Sequence, residues 1–200
     1  MRLVQCFGLA AALLGAWVGG AWANDSGAPF GLTWGMSTKE AADMGIKLQS
    51  AKSEDGTNTF SAQGLPRVLG DVEGVRLDFG YDDRLRKVVA ASRSFPNDPY
   101  GNAVLARYAE LLDILKSKYG SGRPTHKLGG SIYAERKYFL SGLRSGQSWH
   151  YTNFETPEVA IELSVRASDG DTGYWVLIYD NLALAKDVEK QKREREKKSL

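Results

Sequence analysis

The chain has 200 residues and a mass of 21.9 kDa, enough for one domain with a sizeable hydrophobic core. Hydrophobic residues make up 42% and charged residues 25% of it, which excludes a mostly disordered, fibrous or multi-span membrane chain. The formal charge is +2, and the single cysteine excludes both an internal disulfide framework and a multi-cysteine metal site.

Residues 1–23 read as a secretory signal peptide. Arg2 supplies the positive start, an apolar stretch runs through Leu9, Leu13, Leu14 and Val18, and Ala21-Trp22-Ala23 ends it with an A-x-A pattern. The apolar run is short for a bilayer span, which needs roughly 20 apolar residues. Cleavage near Ala23-Asn24 is therefore expected, with a periplasmic or secreted address. Cys6 precedes the apolar stretch, the wrong place for lipidation, and is lost with the leader. Removing 23 of the 200 residues leaves 177, without cysteine, which excludes thiol nucleophiles in the mature chain. Asn24-Asp25-Ser26 matches the short N-glycosylation pattern.

In chain order, Ser37 followed by Glu40 predicts a capping box opening a helix over Thr38–Met44, stopped at Gly45. Residues 46–63 read as edge strands and loops. Gly74–Tyr81 is a strand with Val75, Leu77, Phe79 and Tyr81 on one face, and Asp82-Asp83 turns it into Leu85–Ser94. Asp98 as cap and Pro99 at the first position predict the long amphipathic helix. Val104, Leu105, Tyr108, Leu111, Leu112, Leu115 and Tyr119 form its apolar face, and Gly120 ends it. Ser121–Pro124 reads as loop. Strands are expected at Ser131–Leu140, Gln147–Phe154, Glu158–Ala167 and Gly173–Tyr179, the last apolar on both faces and hence central. Leu182–Lys198 is the final helix. The expected fold is α+β, an antiparallel meander against one long helix, with a short N-terminal helix and a charged C-terminal one. The body spans 24–185 and the charged helical tail 186–200. Both segments flanking the long helix are strand-rich, which raises the question of two similar halves.

The tail holds seven bases and four acids, while residues 24–185 carry a net −2. The basic balance is thus a property of the tail and not of a basic folded face, which argues against nucleic acid as a partner. With only Val188 and Leu200 as apolar side chains past Lys186, the tail reads as a solvated, fraying helix end. The competing reading is an electrostatic contact to anionic lipid, cell-wall polymer or an acidic partner.

No nucleophile elbow or phosphate-binding loop is present, and Arg123-Pro124 after Gly120-Ser121-Gly122 breaks a dinucleotide fingerprint. His126 and His150, the only histidines, lack metal-like spacing. Acidic pairs at Asp82-Asp83 and Asp169-Gly170-Asp171 suit turns. No catalytic residue, metal or cofactor is assigned. The aromatics form the candidate binding set: Trp149, His150 and Tyr151 with Trp34 and Trp175. They read either as core and cross-strand packing or as a concave sheet face holding a partner or glycan.

Gly35-Met36-Ser37-Thr38-Lys39-Glu40-Ala41 resembles an opening found in small exported bacterial proteins, including the small outer-membrane assembly lipoproteins and β-lactamase-inhibitor-like modules. The hairpin Phe79-Gly80-Tyr81-Asp82-Asp83-Arg84-Leu85 and a helix ending Tyr119-Gly120 are similar to periplasmic proteins of this kind. The resemblance implies a helix-layered antiparallel sheet and a non-enzymatic binding role. The chain departs from the lipoproteins in lacking the lipidation cysteine, and no functional residue carries over. The leading expectation is an exported, non-enzymatic protein that binds an envelope protein or cell-wall polymer. Its rivals are a hydrolase using His150 or His126 with carboxylates, and a surface-binding protein acting through the basic tail.

Overall fold

The computed structural model describes residues 27–53 and 57–199. The expected leader, its cleavage point, Cys6 and the Asn24 pattern lie outside them. The strands are β1 (Lys47–Ala51), β2 (Asn58–Gln63), β3 (Val72–Phe79), β4 (Leu85–Ser92), β5 (Arg123–Lys127), β6 (Trp149–Glu155), β7 (Val159–Ala167) and β8 (Gly173–Asn181). The helices are α1 (Thr38–Asp43), α2 (Asn102–Tyr119), α3 (Phe139–Arg144) and α4 (Leu182–Ser199). The α+β class with an antiparallel sheet is observed.

All eight strands join one sheet in the order β1-β2-β3-β4-β8-β7-β6-β5. Two four-stranded meanders thus meet at their last strands, β4 against β8. Each follows a helix, α1 before the first and α2 before the second. The two halves share an order of elements that their sequences do not show.

Period-two alternation sets which side chains meet the helices. Leu77, Phe79, Val88, Ala90, Ile161, Leu163, Val165, Trp175 and Leu177 are buried on one face, against Val104, Tyr108, Leu111 and Leu115 of α2. Burying each such side chain contributes about 1.5–3 kcal/mol before the entropy of ordering the chain is counted.

Four elements differ from the sequence reading. Helix α2 starts at Asn102, three residues after Pro99, because Gly101 takes the left-handed region at φ +67. A Cβ at Gly101 would stand 3.0 Å from the Phe139 ring, so glycine is required for conformation and for space. Gly101 and not Asp98 takes the N-cap position, although Asp98 Oδ2 still accepts the Ala103 N–H of the first turn at 2.7 Å. Arg123–Lys127 is a strand and not a loop. It lies at the sheet edge, where a proline's missing N–H is harmless. Ser131–Leu140 is not a strand but two 3-10 turns, Ser131–Ala134 and Arg136–Tyr138, leading into α3. The adjacent residues Phe139 and Leu140 are both buried, which a half-covered strand would not allow.

The fourth difference is the tail, which is not a wholly solvated helix end. Val188 of α4 is buried and sits over Gly80, where a Cβ would come within 3.0 Å of its methyl carbon. Arg84 in the β3–β4 turn donates to Asp187 at 3.0 Å, and the Arg195 guanidinium lies 4.0 Å from the Tyr81 ring centroid. One face of α4 is thus docked on the first hairpin. Among the described residues no helix is long and apolar enough to cross a membrane.

Candidate functional site

Helices α1, α2 and α3 pack on a single face of the sheet. Tyr108 of α2 meets Thr152 there, with their hydroxyls 2.6 Å apart, and Phe139 of α3 meets His150 edge-on. Near the β3–β4 turn the opposite face is covered as well, since Asp78 and Arg86 are buried there; over the rest of it, which is open, the strand register fixes what lies on the surface.

One row across five strands runs Ala91, Val176, Ser164, Tyr151 and Thr125. The next runs Val89, Ile178, Glu162, Asn153 and Arg123. Tyr174 pairs with Arg166, and Trp149 with Lys127. The middle of the open face is therefore aliphatic, with half-buried Val89, Ala91, Val176 and Ile178. Tyr174, Tyr151 and Trp149 continue it toward β5. Trp149 is 41% exposed, with Lys127 Nζ 5.0 Å from its ring centroid. Arg166 donates to Glu162 at 3.0 Å, which supplies a polar border. Half-exposed aliphatic side chains on neighbouring strands make a contiguous apolar patch, a feature that commonly marks an interaction surface.

The structure divides the sequence candidates. Trp149 and Tyr151 lie on the open face, and His150 between them points to the helix face, as alternation requires. Trp34 lies in the segment bonded to the start of β4, where Gly35 N–H donates to Leu85 O at 2.9 Å, three strands from β6. It packs partly against the core and is not brought to Trp149. Trp175 is a correction. It is fully buried, because odd positions of β8 face the helices, and it has no surface with which to bind a partner. Its Nε1–H donates to Asp71 Oδ2 at 2.9 Å. Asp71 also receives two hydrogen bonds from Arg107, at 2.8 and 2.9 Å. Those bonds hold its carboxyl below the usual carboxylate range, against the opposing effect of burial. This network ties the turn before β3 to α2 and β8.

Val89, Ala91, Tyr174, Val176 and Ile178 were not in the sequence set. Their signal was present in β8, which is apolar on both faces. With α1, α2 and α3 on the other face, the second apolar face of this central strand is left partly exposed.

The two histidines are far apart in sequence but directly opposite in the β5–β6 register. Their rings stack in parallel, with centroids 3.9 Å apart and planes 4° apart. Tyr108 is edge-on to both, and Phe139 to His150. Burial and the neighbouring His126 push His150 down to about 4, and burial lowers His126 as well. At neutral pH both rings are uncharged. The hydrolase reading asked for a carboxylate beside one of them, whereas the groups against the pair are aromatic. Among the described residues no three or more His, Cys, Asp or Glu side chains are grouped to hold a metal ion.

No family model, curated protein or solved structure matches the chain.

Proposed function

We propose that this chain is a non-enzymatic binding protein of the cell envelope that seats a folded protein partner on its open sheet face. The observation that carries this reading is the uncovered aliphatic centre formed by Val89, Ala91, Val176 and Ile178. A glycan polymer would be held by stacking on exposed rings and by hydrogen bonds to its hydroxyls. An aliphatic centre with aromatics and charges at its border matches the anatomy of a protein interface. Eight strands of five to nine residues present a face roughly 34 Å wide and about 17–30 Å long, of the same order as the ~800 Å² that each partner buries in a standard interface. Export rests on the leader-like residues 1–23.

Ile178→Lys is expected to weaken partner binding at least tenfold, because a charge would be desolvated at the centre of the contact. Tyr151→Ala is expected to weaken it by a smaller factor. Both variants should unfold within a few degrees of the parent, since each replaced side chain is half-exposed. The helix-face variant Ile114→Lys should bind as the parent does. Affinity measured on the purified partner tests this: undiminished binding by Ile178→Lys, or selective loss in Ile114→Lys, overturns the assignment.

A further inference from the structure

We propose that one corner of the sheet, apart from the aliphatic centre of the open face, is a contact for an anionic lipid surface. The corner is built by the chain that leaves edge strand β5 and returns through α3 to β6. Gly129 N–H donates to Ser148 Oγ at 3.0 Å. A Cβ at Gly129 would stand 2.9 Å from Gln147 Cβ and 3.0 Å from Tyr133 Cβ. The loop 128–134 is thus pressed onto the turn between α3 and β6, and only glycine allows the approach.

Large apolar side chains stand out of these two packed segments. Leu128 is 48% exposed, Ile132 52% and Trp149 41%. Three of the seven large hydrophobics exposed among the described residues therefore fall within residues 128–149, a concentration that marks a contact surface and not scatter. Lys127, opposite Trp149 in the β5–β6 register, lays its ammonium on the indole.

Charge names the occupant. Residues 24–185 carry a net −2, yet residues 127–149 hold four bases and one acid. That acid, Glu135, is bound by Lys137 at 3.0 Å. Arg136 donates to the neutral Asn102 Oδ1 at 3.2 Å, and Arg144 is exposed. Among the described residues Lys127, Arg136 and Arg144 form no ion pair. Asp169 and Asp171, on the β7–β8 turn that reaches α3 at Ser141, bond within that turn. Apolar loop side chains beside cations that lack a carboxylate suit a bilayer interface. There the indole settles at headgroup level, the aliphatic tips reach the acyl boundary, and Lys and Arg meet lipid phosphates. A folded protein would instead need a continuous apolar area, which the middle of the open face supplies.

The test floats the protein, purified as the cell processes it, with vesicles of phosphatidylglycerol mixed with phosphatidylcholine and with vesicles of phosphatidylcholine alone. The mixed vesicles should bind it at least about tenfold more tightly at low salt, and the binding should weaken as salt rises. Lys127→Gln and Arg144→Gln should each weaken it about fivefold, the effect of one base near an anionic surface. Leu128→Ser with Ile132→Ser should weaken it about tenfold through lost insertion. These positions are exposed, so the variants should unfold with the parent. Trp149 also borders the open face and is left in place, which keeps this test separate from partner binding there. Helix α4 leaves from the opposite end of the strands, where Asn181 pairs with Val159. Lys190→Gln with Lys197→Gln should therefore bind as the parent does. No binding to the mixed vesicles, or equal binding to both kinds, overturns the proposal. So does undiminished binding by the Leu128 and Ile132 variant, or loss through the α4 variant alone. Polyglutamate bound as tightly as the mixed vesicles would assign the corner to an acidic protein and overturn it too.

Discussion

Trp175→Ala should lower the unfolding free energy by about 3–5 kcal/mol, the range for deleting a large buried aromatic. That is a large share of the roughly 5–15 kcal/mol that holds a domain of this size folded. Two losses combine. The indole is fully buried opposite Val165, so its removal opens a cavity that the surrounding sheet and helix fill only in part. It also donates to Asp71, and its loss removes one of the donors to that carboxylate. Trp175→Phe keeps much of the volume and loses only the donor, so it should cost about 1–3 kcal/mol. Trp149→Ala, on the open face, should change stability by no more than about 0.5 kcal/mol. Urea unfolding of the three variants makes the comparison. Equal losses for the two alanine variants would mean that β8 is displaced by one residue, which would exchange its two faces.

A second large effect is set by pH. The folded chain holds His150 at about 4, whereas an unfolded histidine titrates near 6.5. Between these values the unfolded chain takes up a proton that the folded chain refuses. Stability therefore falls as pH drops from about 6.5 to about 4 and levels off below that for this group. Allowing for the partial exposure of the ring, the loss is on the order of 1–2 kcal/mol. His126, also lowered by burial, adds in the same direction. Asp71 acts in a different window. Its lowered carboxyl contributes stability that is present above the ordinary aspartate range and lost as pH falls below it. His150→Phe keeps a flat ring against Tyr108 and Phe139, so it should flatten the stability profile between pH 6.5 and 4 while leaving the more acidic limb in place. Urea midpoints across that range decide the matter, and an unchanged slope in His150→Phe would contradict the assignment.

Much of the fold was legible because its signals are local. The alternation in Val75–Phe79 and Val159–Val165, the spacing of Val104–Tyr119 and the Ser37–Glu40 capping box each need only a few neighbouring residues. The capping box forms as expected, with Ser37 N–H donating to Glu40 at 2.7 Å and Glu40 N–H to Ser37 Oγ at 3.2 Å. What was missed depends on distant partners. Pro124 reads as a loop residue until an edge position makes its missing N–H irrelevant. Without β5 the register that stacks His126 on His150 does not exist, so two paired histidines read as isolated ones. Val188 reads as a stray apolar residue until Gly80, more than 100 positions earlier, offers the flat surface that receives it.

The candidate site divides along the same line. Trp149 and Tyr151 stood out as aromatic residues in a strand, and alternation already required His150 to face away from them. Trp175 has the same composition signal as Trp149 and the opposite environment, since only the placement of the helices says which face of β8 is covered. Val176 and Ile178 carry no chemical signal of their own. They matter because they lie on the uncovered side of a central strand.

The most direct measurement places a photo-crosslinking amino acid at one position at a time in intact cells: Val89, Tyr151 and Val176 on the open face, and Ile114 and Lys118 on the helix side. The account predicts one discrete adduct of the same mass from the open-face positions and none of that mass from the helix side. Adducts of that kind from the helix side alone, or none from any open-face position, would contradict it.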